Sequence, residues 1–421
     1  MEIIESLDSS RLREESEEKK VPILKLLFEK LSEDKKINAT LFAVCPNSEI
    51  VLKAAIRSAK KANAPLLFAA TLNQVDIDGG YTGWTPKDLI RKIKEYCYQI
   101  SYGGPVIVGI DHGGPWAKDR QTIERWDLDH SMDWIKKSFE AAITAGYDLI
   151  HVDPTIDIFN RIEIDMVANR TIELMSYSEN FRKSMKLKPI SYEVGTEEVH
   201  GGLVDMDVFK KFLNLLRNGL EIKKLEESWP IFIVAKVGTD LHTTTFNSQV
   251  AKKVVSIAKS CNSYIKGHYT DFVSNPKDYP KSGIGAANVG PEFTILEFEA
   301  LAELSKLENE LYNKNKVSIG SNLLKILENA VIESGRWKKW LQEGEKDFFD
   351  LNKQRKDWII KTSARYVWAN PEVKCALNML YNNLRLNGID GENIVLINIE
   401  KAMDKYFREF NLLNLNLKLE N

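Results

Sequence analysis

The chain has 421 residues, 43% of them hydrophobic and 28% charged, with a formal net charge of −2. That is ordinary soluble globular composition, enough for one large domain with elaborations or for two domains. The near-neutral balance gives no electrostatic case for nucleic acid, and no apolar run approaches the roughly 20 residues of a membrane span. The start, Met1 to Lys20, is charged and lacks the apolar core of a signal peptide. The expectation is therefore a cytoplasmic protein with neither nucleic acid nor membrane as a partner. Cys45, Cys97, Cys261 and Cys375 are too scattered for a disulfide framework or zinc-finger spacing.

Residues 1–37 read as an N-terminal helical arm, polar to about Lys20 and then amphipathic from Val21 to Leu31. Strand-like and helical segments then alternate. Leu41 to Cys45 is a first apolar strand and Glu49 to Ala62 a helix. Leu66 to Thr71 is a second strand, with a helix from Pro86 to Tyr98. Val106 to Ile110 is a third, Asp148 to Asp153 a fourth, Ile190 to Val194 a fifth and Ile231 to Lys236 a sixth. Ser263 to Lys266 is a seventh, and Gly285 to Val289 the eighth and weakest, before a long helix from Phe293 to Tyr312. Buried strands separated by helices imply an α/β architecture with a parallel sheet. Eight such units match a (β/α)8 barrel, which typically takes about 250 residues. A doubly wound open sheet is the competing architecture, but no Gly-x-Gly-x-x-Gly follows the first strand. The barrel is assigned to 38–317. From Ser318 the alternation stops and Trp-, Tyr- and Leu-rich helical patterns take over, so 318–421 reads as a helical C-terminal extension whose tryptophans serve packing.

In such a barrel the active site lies at the carboxyl ends of the strands. Asn73 and Gln74 follow the second strand, leading into a glycine-rich loop with Gly80 and Tyr81; amides and close backbone approach suit hydroxyls or a phosphate, although Gly-Gly also marks a plain tight turn. Asp111 and His112 end the third strand, His151 and Asp153 lie on the fourth, and Glu193 lies near the end of the fifth. Asp240 and His242 follow the sixth, His268 and Asp271 the seventh, and Asn288 the eighth. Of six histidines, His112, His242 and His268 fall just past strand ends. Three neutral imidazoles with an open position are a standard catalytic divalent-metal arrangement, and Glu193 suits a fourth, carboxylate ligand. Each histidine singly reads as well as a surface or satisfied core residue. His151 has two readings, a core histidine or a partner behind the ligands. Trp116 to His130, with Arg120, Arg125 and Trp126, reads as a lid or substrate clamp.

Several stretches resemble a known family. Asn73-Gln-Val-Asp-Ile-Asp-Gly-Gly-Tyr-Thr-Gly-Trp-Thr-Pro86, Asp111-His-Gly-Gly-Pro115, His151-Val-Asp153, Tyr192-Glu-Val-Gly-Thr-Glu197 and His268-Tyr-Thr-Asp271 are similar to the Z-type subunit of tagatose-1,6-bisphosphate aldolase, over about residues 38–400. That family is related to the metal-dependent class II aldolases. Its members include proteins regarded as stabilising partners of an aldolase subunit, and 4-epimerases of tagatose and fructose or their 6-phosphates. The resemblance implies one divalent ion, zinc first and manganese, nickel or cobalt as alternatives, on His112, His242, His268 and Glu193. It implies catalytic roles for Asp111, Asp153 and Glu193, and substrate contacts at Asn73, Gln74, Gly80, Tyr81, Asp271 and Asn288. The implied function is a metal-dependent 4-epimerase of a ketohexose or ketohexose phosphate working by retro-aldol chemistry. The alternative is a tagatose-1,6-bisphosphate aldolase or its stabilising subunit, so the implied partners are the sugar and either further copies of the chain or an aldolase subunit. One departure stands out: Tyr-Thr-Asp follows His268 where the aldolases carry a Gly/Ser-rich phosphate-binding turn.

Overall fold

A computed structural model describes residues 7–33, 38–196, 205–239 and 244–420. Eight parallel strands close into a barrel in the order β1 to β8: Leu41–Val44, Leu66–Thr71, Val106–Gly113, Leu149–Val152, Ser191–Gly195, Phe232–Val234, Tyr264–Gly267 and Ala286–Val289. β1 pairs β8 through Leu41 with Ala286 and Ala43 with Asn288, which closes the ring. The strands are buried on both faces, β1 and β4 over their whole lengths. This is why they read as continuous apolar runs rather than as alternating ones. Helices wrap the outside and obey their caps. Thr85 and Asp88 form a reciprocal capping box ahead of Pro86–Gln99, with Pro86 in the first turn.

Two strand ends differ from the sequence reading by more than one residue. β3 continues through Asp111 and His112 to Gly113, with a register shift against β4 between Ile110 and Gly113. His112 sits at φ +53° in that irregularity, which re-aims its side chain at the rim. β6 ends at Val234, short of the expected Lys236.

The N-terminal segment is a clasp on the barrel floor. Ser10 caps the helix Arg11–Lys19, and Arg13, 1% exposed, reaches under the strands. It donates to Asp148 at the start of β4, to Asp8 and to the Val106 carbonyl at 2.6 Å. The C-terminal extension covers another flank. The helix Gly391–Glu409 lies along the helix Glu49–Ala62, joined by Lys53–Glu392 and Arg57–Glu400 ion pairs. Tyr406, Phe407 and Phe410 pack around Phe42 of β1. Trp337 and Trp368 are buried, as residues that pack.

Candidate metal centre and active site

The chemistry gathers at the carboxyl ends of β3, β4, β5 and β7. Asp111, His151, Glu193 and His268 are all buried, and one donor atom from each lies within 4.8 Å of the other three. Backbone register explains the convergence: His151 and Glu193 are paired across β4 and β5, and both point inward. His268 Nε2 lies 3.1 Å from Glu193 Oε1 and 3.7 Å from Asp111 Oδ1. His151 Nδ1 lies 3.4 Å from Glu193 Oε1 and 3.5 Å from Asp111 Oδ1. Two imidazoles and two carboxylates suit a divalent transition metal. His151 Nδ1 also accepts from the His112 amide at 3.1 Å, and its buried Nε2 has no partner among the described residues, which fits a site built for something besides protein. The group could therefore hold a metal ion.

His112 borders this group. Its ring centroid is 4.7 Å from that of His268 and 5.1 Å from that of His151. Asp153 Oδ2 grips its Nδ1 at 2.5 Å, and its Nε2 turns toward Asp111 Oδ2 at 3.9 Å. Thr155 fixes the other Asp153 oxygen. Burial pushes the Asp153 carboxyl up, but its bond to His112, the charges of His112 and His151 and the Thr155 bond together outweigh that and bring it to about 2. Burial pulls His112 down, yet Asp111 and Asp153 lift it to about 9. A carboxylate that orients an imidazole and stabilises its cation is a standard proton-handling unit.

Lys266, absent from the sequence reading of the site, is fully buried beneath the donors. Its ammonium lies 2.6 Å from Glu193 Oε2 and 3.4 Å from Asp111 Oδ1. Burial favours the neutral amine, but the two carboxylates more than compensate and raise its pKa. In return burial pushes both acids up, but Lys266 together with the surrounding histidines outweighs it, holding Glu193 at about 2 and Asp111 well below the carboxylate range. Glu193 thus gives one oxygen to the lysine and keeps Oε1 for the donor group. A signal existed: Lys266 and His268 are two residues apart on one strand face.

The remaining expected residues divide. Asn288 Nδ2 donates to Asp111 Oδ2 at 3.0 Å, while its buried Oδ1 has no partner. Tyr81 and Gln74 both donate to Asn47 Oδ1, at 2.8 and 2.7 Å. Gln74 also accepts from the Thr71 amide, and Asn73 bonds Ala117 and Asp119. The two amides therefore tie loops together and have little left for a ligand. Gly80 is a turn glycine at φ +52°, and a Cβ there would lie 2.4 Å from the Gln74 carbonyl oxygen. Asp271 accepts from the amides of Gly290 and Glu292 with one oxygen, tying β7 to the helix Pro291–Asn313; burial lifts its pKa to about 7. Asp240 and His242 lie outside the described residues. The Trp116–His130 segment is packed down: the Trp116 indole donates to the Trp126 carbonyl, and Trp126 stacks on His130 at 3.8 Å. A groove of about 930 Å³, lined by Phe28, Trp229 and Tyr264 among others, opens at the opposite, amino ends of the strands and contains none of Asp111, His151, Glu193 and His268.

Residues 25–405 match the profile of the D-tagatose-1,6-bisphosphate aldolase subunit GatZ/KbaZ-like family. The chain belongs to this family. Its fold is similar to that of a probable tagatose 6 phosphate kinase from Sinorhizobium meliloti, at 19% identity and a TM-score of 0.73 over 88% of this chain and 100% of that one. A fructose-bisphosphate aldolase from Campylobacter jejuni aligns at 13% identity and a TM-score of 0.51, over 93% and 94% of the two chains. At such identities these likenesses show the barrel fold. No helix among the described residues is long and apolar enough to cross a membrane.

Proposed function

We propose that this protein is a metal-dependent 4-epimerase of tagatose and fructose or their 6-phosphates. The observation that carries the reading is the donor group Asp111, His151, Glu193 and His268, flanked by the His112–Asp153 pair. A merely structural subunit has no use for a buried donor set with proton carriers beside it, because buried charges cost stability unless something repays them. Glu193 and His268 of the expected set of His112, His242, His268 and Glu193 would hold the ion, together with His151. A bound divalent ion supplies Lewis-acid polarisation of the ketose carbonyl.

The chain's own residues do the rest. Asp111, with Oδ2 on the side of Asn288 and His112, takes the C4 hydroxyl proton. The C3–C4 bond breaks, its electron pair passing into the carbonyl of the first three carbons. The aldehyde half turns and is attacked on its other face, and its oxygen regains a proton from His112, which Asp153 holds in line. The proton taken by Asp111 then passes to His112, whose Nε2 faces Asp111 Oδ2 at 3.9 Å, and resets both groups. Direct removal of the C4 hydrogen has no adjacent carbonyl to accept the charge and is the harder route. Lys266 keeps Glu193 ionised throughout, and Asp111 ionised until it takes the proton.

The family description favours a second reading, a subunit that supports an aldolase. One experiment separates the two. The purified chain alone is incubated with fructose, tagatose and their 6-phosphates across a panel of zinc, manganese, nickel and cobalt. Epimer without triose is the expected result. Triose products mean an aldolase, and turnover only after an aldolase chain is added means a supporting subunit.

A further inference from the structure

The C-terminal extension reaches the barrel mouth with its cations. The Tyr366 ring meets Tyr81 edge-on at 5.2 Å. Arg336 lies over both rings and bonds Asp119 at 2.8 Å and Asn73 at 3.3 Å, leaving a buried Nε with no partner. Lys339 also pairs with Asp119 at 3.0 Å. Arg365 is the most unusual of the three. It is 7% exposed, yet its one hydrogen bond among the described residues goes to the Tyr366 hydroxyl at 3.1 Å. The guanidinium stacks near Trp340 and Tyr366, and its buried Nη1 has no partner among the described residues. A buried guanidinium with idle Nη1 donors is costly unless a ligand satisfies them.

Its position is next to the reaction site. Tyr81 donates to Asn47, Asn47 donates to the Gly290 carbonyl, and two residues earlier Asn288 holds Asp111. The field of Arg365 is felt at Tyr81, Asp271 and Cys45, and Cys45 in turn feels Asp111 and Lys266. Arg336 and Lys339 share one carboxylate, Asp119, and Arg365 lies in the field of Asp271, so three cations meet two carboxylates and the lining stays net positive. The usual barrel phosphate site, after strands seven and eight, is closed to an anion by Asp271, whose carboxyl occupies the amides of Gly290 and Glu292.

We propose that Arg365 and Arg336 bind the phosphate of a ketohexose phosphate, so that the C-terminal extension completes the substrate site and selects the phosphorylated sugar. This rests on the epimerase reading for the identity of the sugar, but not for the anion site. A planar guanidinium fork matches phosphate oxygens, and charge-assisted bonds of this kind are the strong ones.

The test is equilibrium binding to the full chain, read by calorimetry without turnover, for fructose 6-phosphate, fructose and inorganic phosphate. The phosphorylated sugar is expected to bind about 10- to 100-fold tighter than fructose. In Arg365→Gln that ratio falls to within about threefold of unity while fructose affinity holds, and Arg365→Lys recovers part of it. Inorganic phosphate binding should survive chelator treatment, which separates this site from the metal. Equal affinity of the wild type for both sugars overturns the proposal, as does an equal loss of both in Arg365→Gln, which is what a purely structural arginine gives. Should Arg365→Gln fail to fold, Arg336→Gln, a part-exposed position, carries the test: it must weaken the phosphorylated sugar selectively, and an unchanged ratio overturns the proposal. A chain that keeps the preference yet epimerises nothing retains the anion site and loses the epimerase reading.

Discussion

At the scale of single residues, the centre separates charge from proton traffic. Glu193 divides its oxygens between Lys266 and the imidazoles, whereas Asp153 spends one oxygen on His112 and the other on Thr155. Replacing Asp153 with Asn removes the carboxylate that orients His112 without touching the donor group. The expected result is a 10- to 100-fold fall in kcat, roughly what losing an orienting partner costs, with bound metal measured by elemental analysis unchanged. Wild-type turnover in that variant would take the His112–Asp153 pair out of the chemistry. Asp111→Asn is expected to cost about 10² to 10⁴ in rate. Because Asp111 Oδ1 also belongs to the donor group, metal affinity should fall as well, which the same analysis detects.

At the scale of elements, the N-terminal helix stabilises the barrel floor through one buried arginine. Asp148 is pushed up by burial but held at about 2 by Arg13 and then Lys188. A carboxyl whose folded pKa is depressed adds stability above its ordinary value of 3.8 and loses it as pH falls toward 2. That contribution is about 2 kcal/mol. Arg13→Met removes the guanidinium from Asp8 and leaves Asp148 with Lys188 as its one cation, and should cost about 3–5 kcal/mol at neutral pH, read as a lower urea midpoint. The acid-induced drop between pH 4 and 2 should also shrink in the variant, by the Arg13 share of that contribution. An unshifted midpoint at pH 7 would mean that the clasp is decorative. The loop after β2 depends on its turn in a similar way. Gly80→Ala puts a Cβ against the Gln74 carbonyl at positive φ, so about 1–3 kcal/mol of destabilisation is expected by thermal melt.

At the scale of the whole molecule, a closed barrel with an apolar core does not depend on an ion at its rim. Lys266 already offsets one of the two acids and the His112 cation the other, so chelation should abolish turnover while leaving the far-ultraviolet circular dichroism unchanged, and added divalent metal should restore the rate. Collapse of the spectrum on chelation would make the ion structural. The route of epimerisation has its own signature. Retro-aldol cleavage never removes the C4 hydrogen, so product formed in deuterated water should show no deuterium at C4 by NMR. Incorporation during turnover would exclude cleavage and leave Asp111 without its assigned step.

The sequence alone determined the barrel, because buried parallel strands have to be apolar and their spacing by helices admits few closures. It also pointed to Asp111, His112, Glu193 and His268, because polar groups at the ends of apolar runs stand out. The tertiary structure decided which of these meet. His151 joined the donor group through its register with Glu193, a pairing across strands that no local pattern reports. Lys266 was hidden because a lysine at a strand end reads as solvated until the barrel closes over it. Asn73 and Gln74 looked free to bind, and only packed loops show where their amides are spent. Arg365 lies in a helical extension whose local pattern signals nothing but packing. Its place at the mouth depends on how that extension folds back over β1 and β2, and contacts so distant along the chain are set by the packed core and not by local sequence.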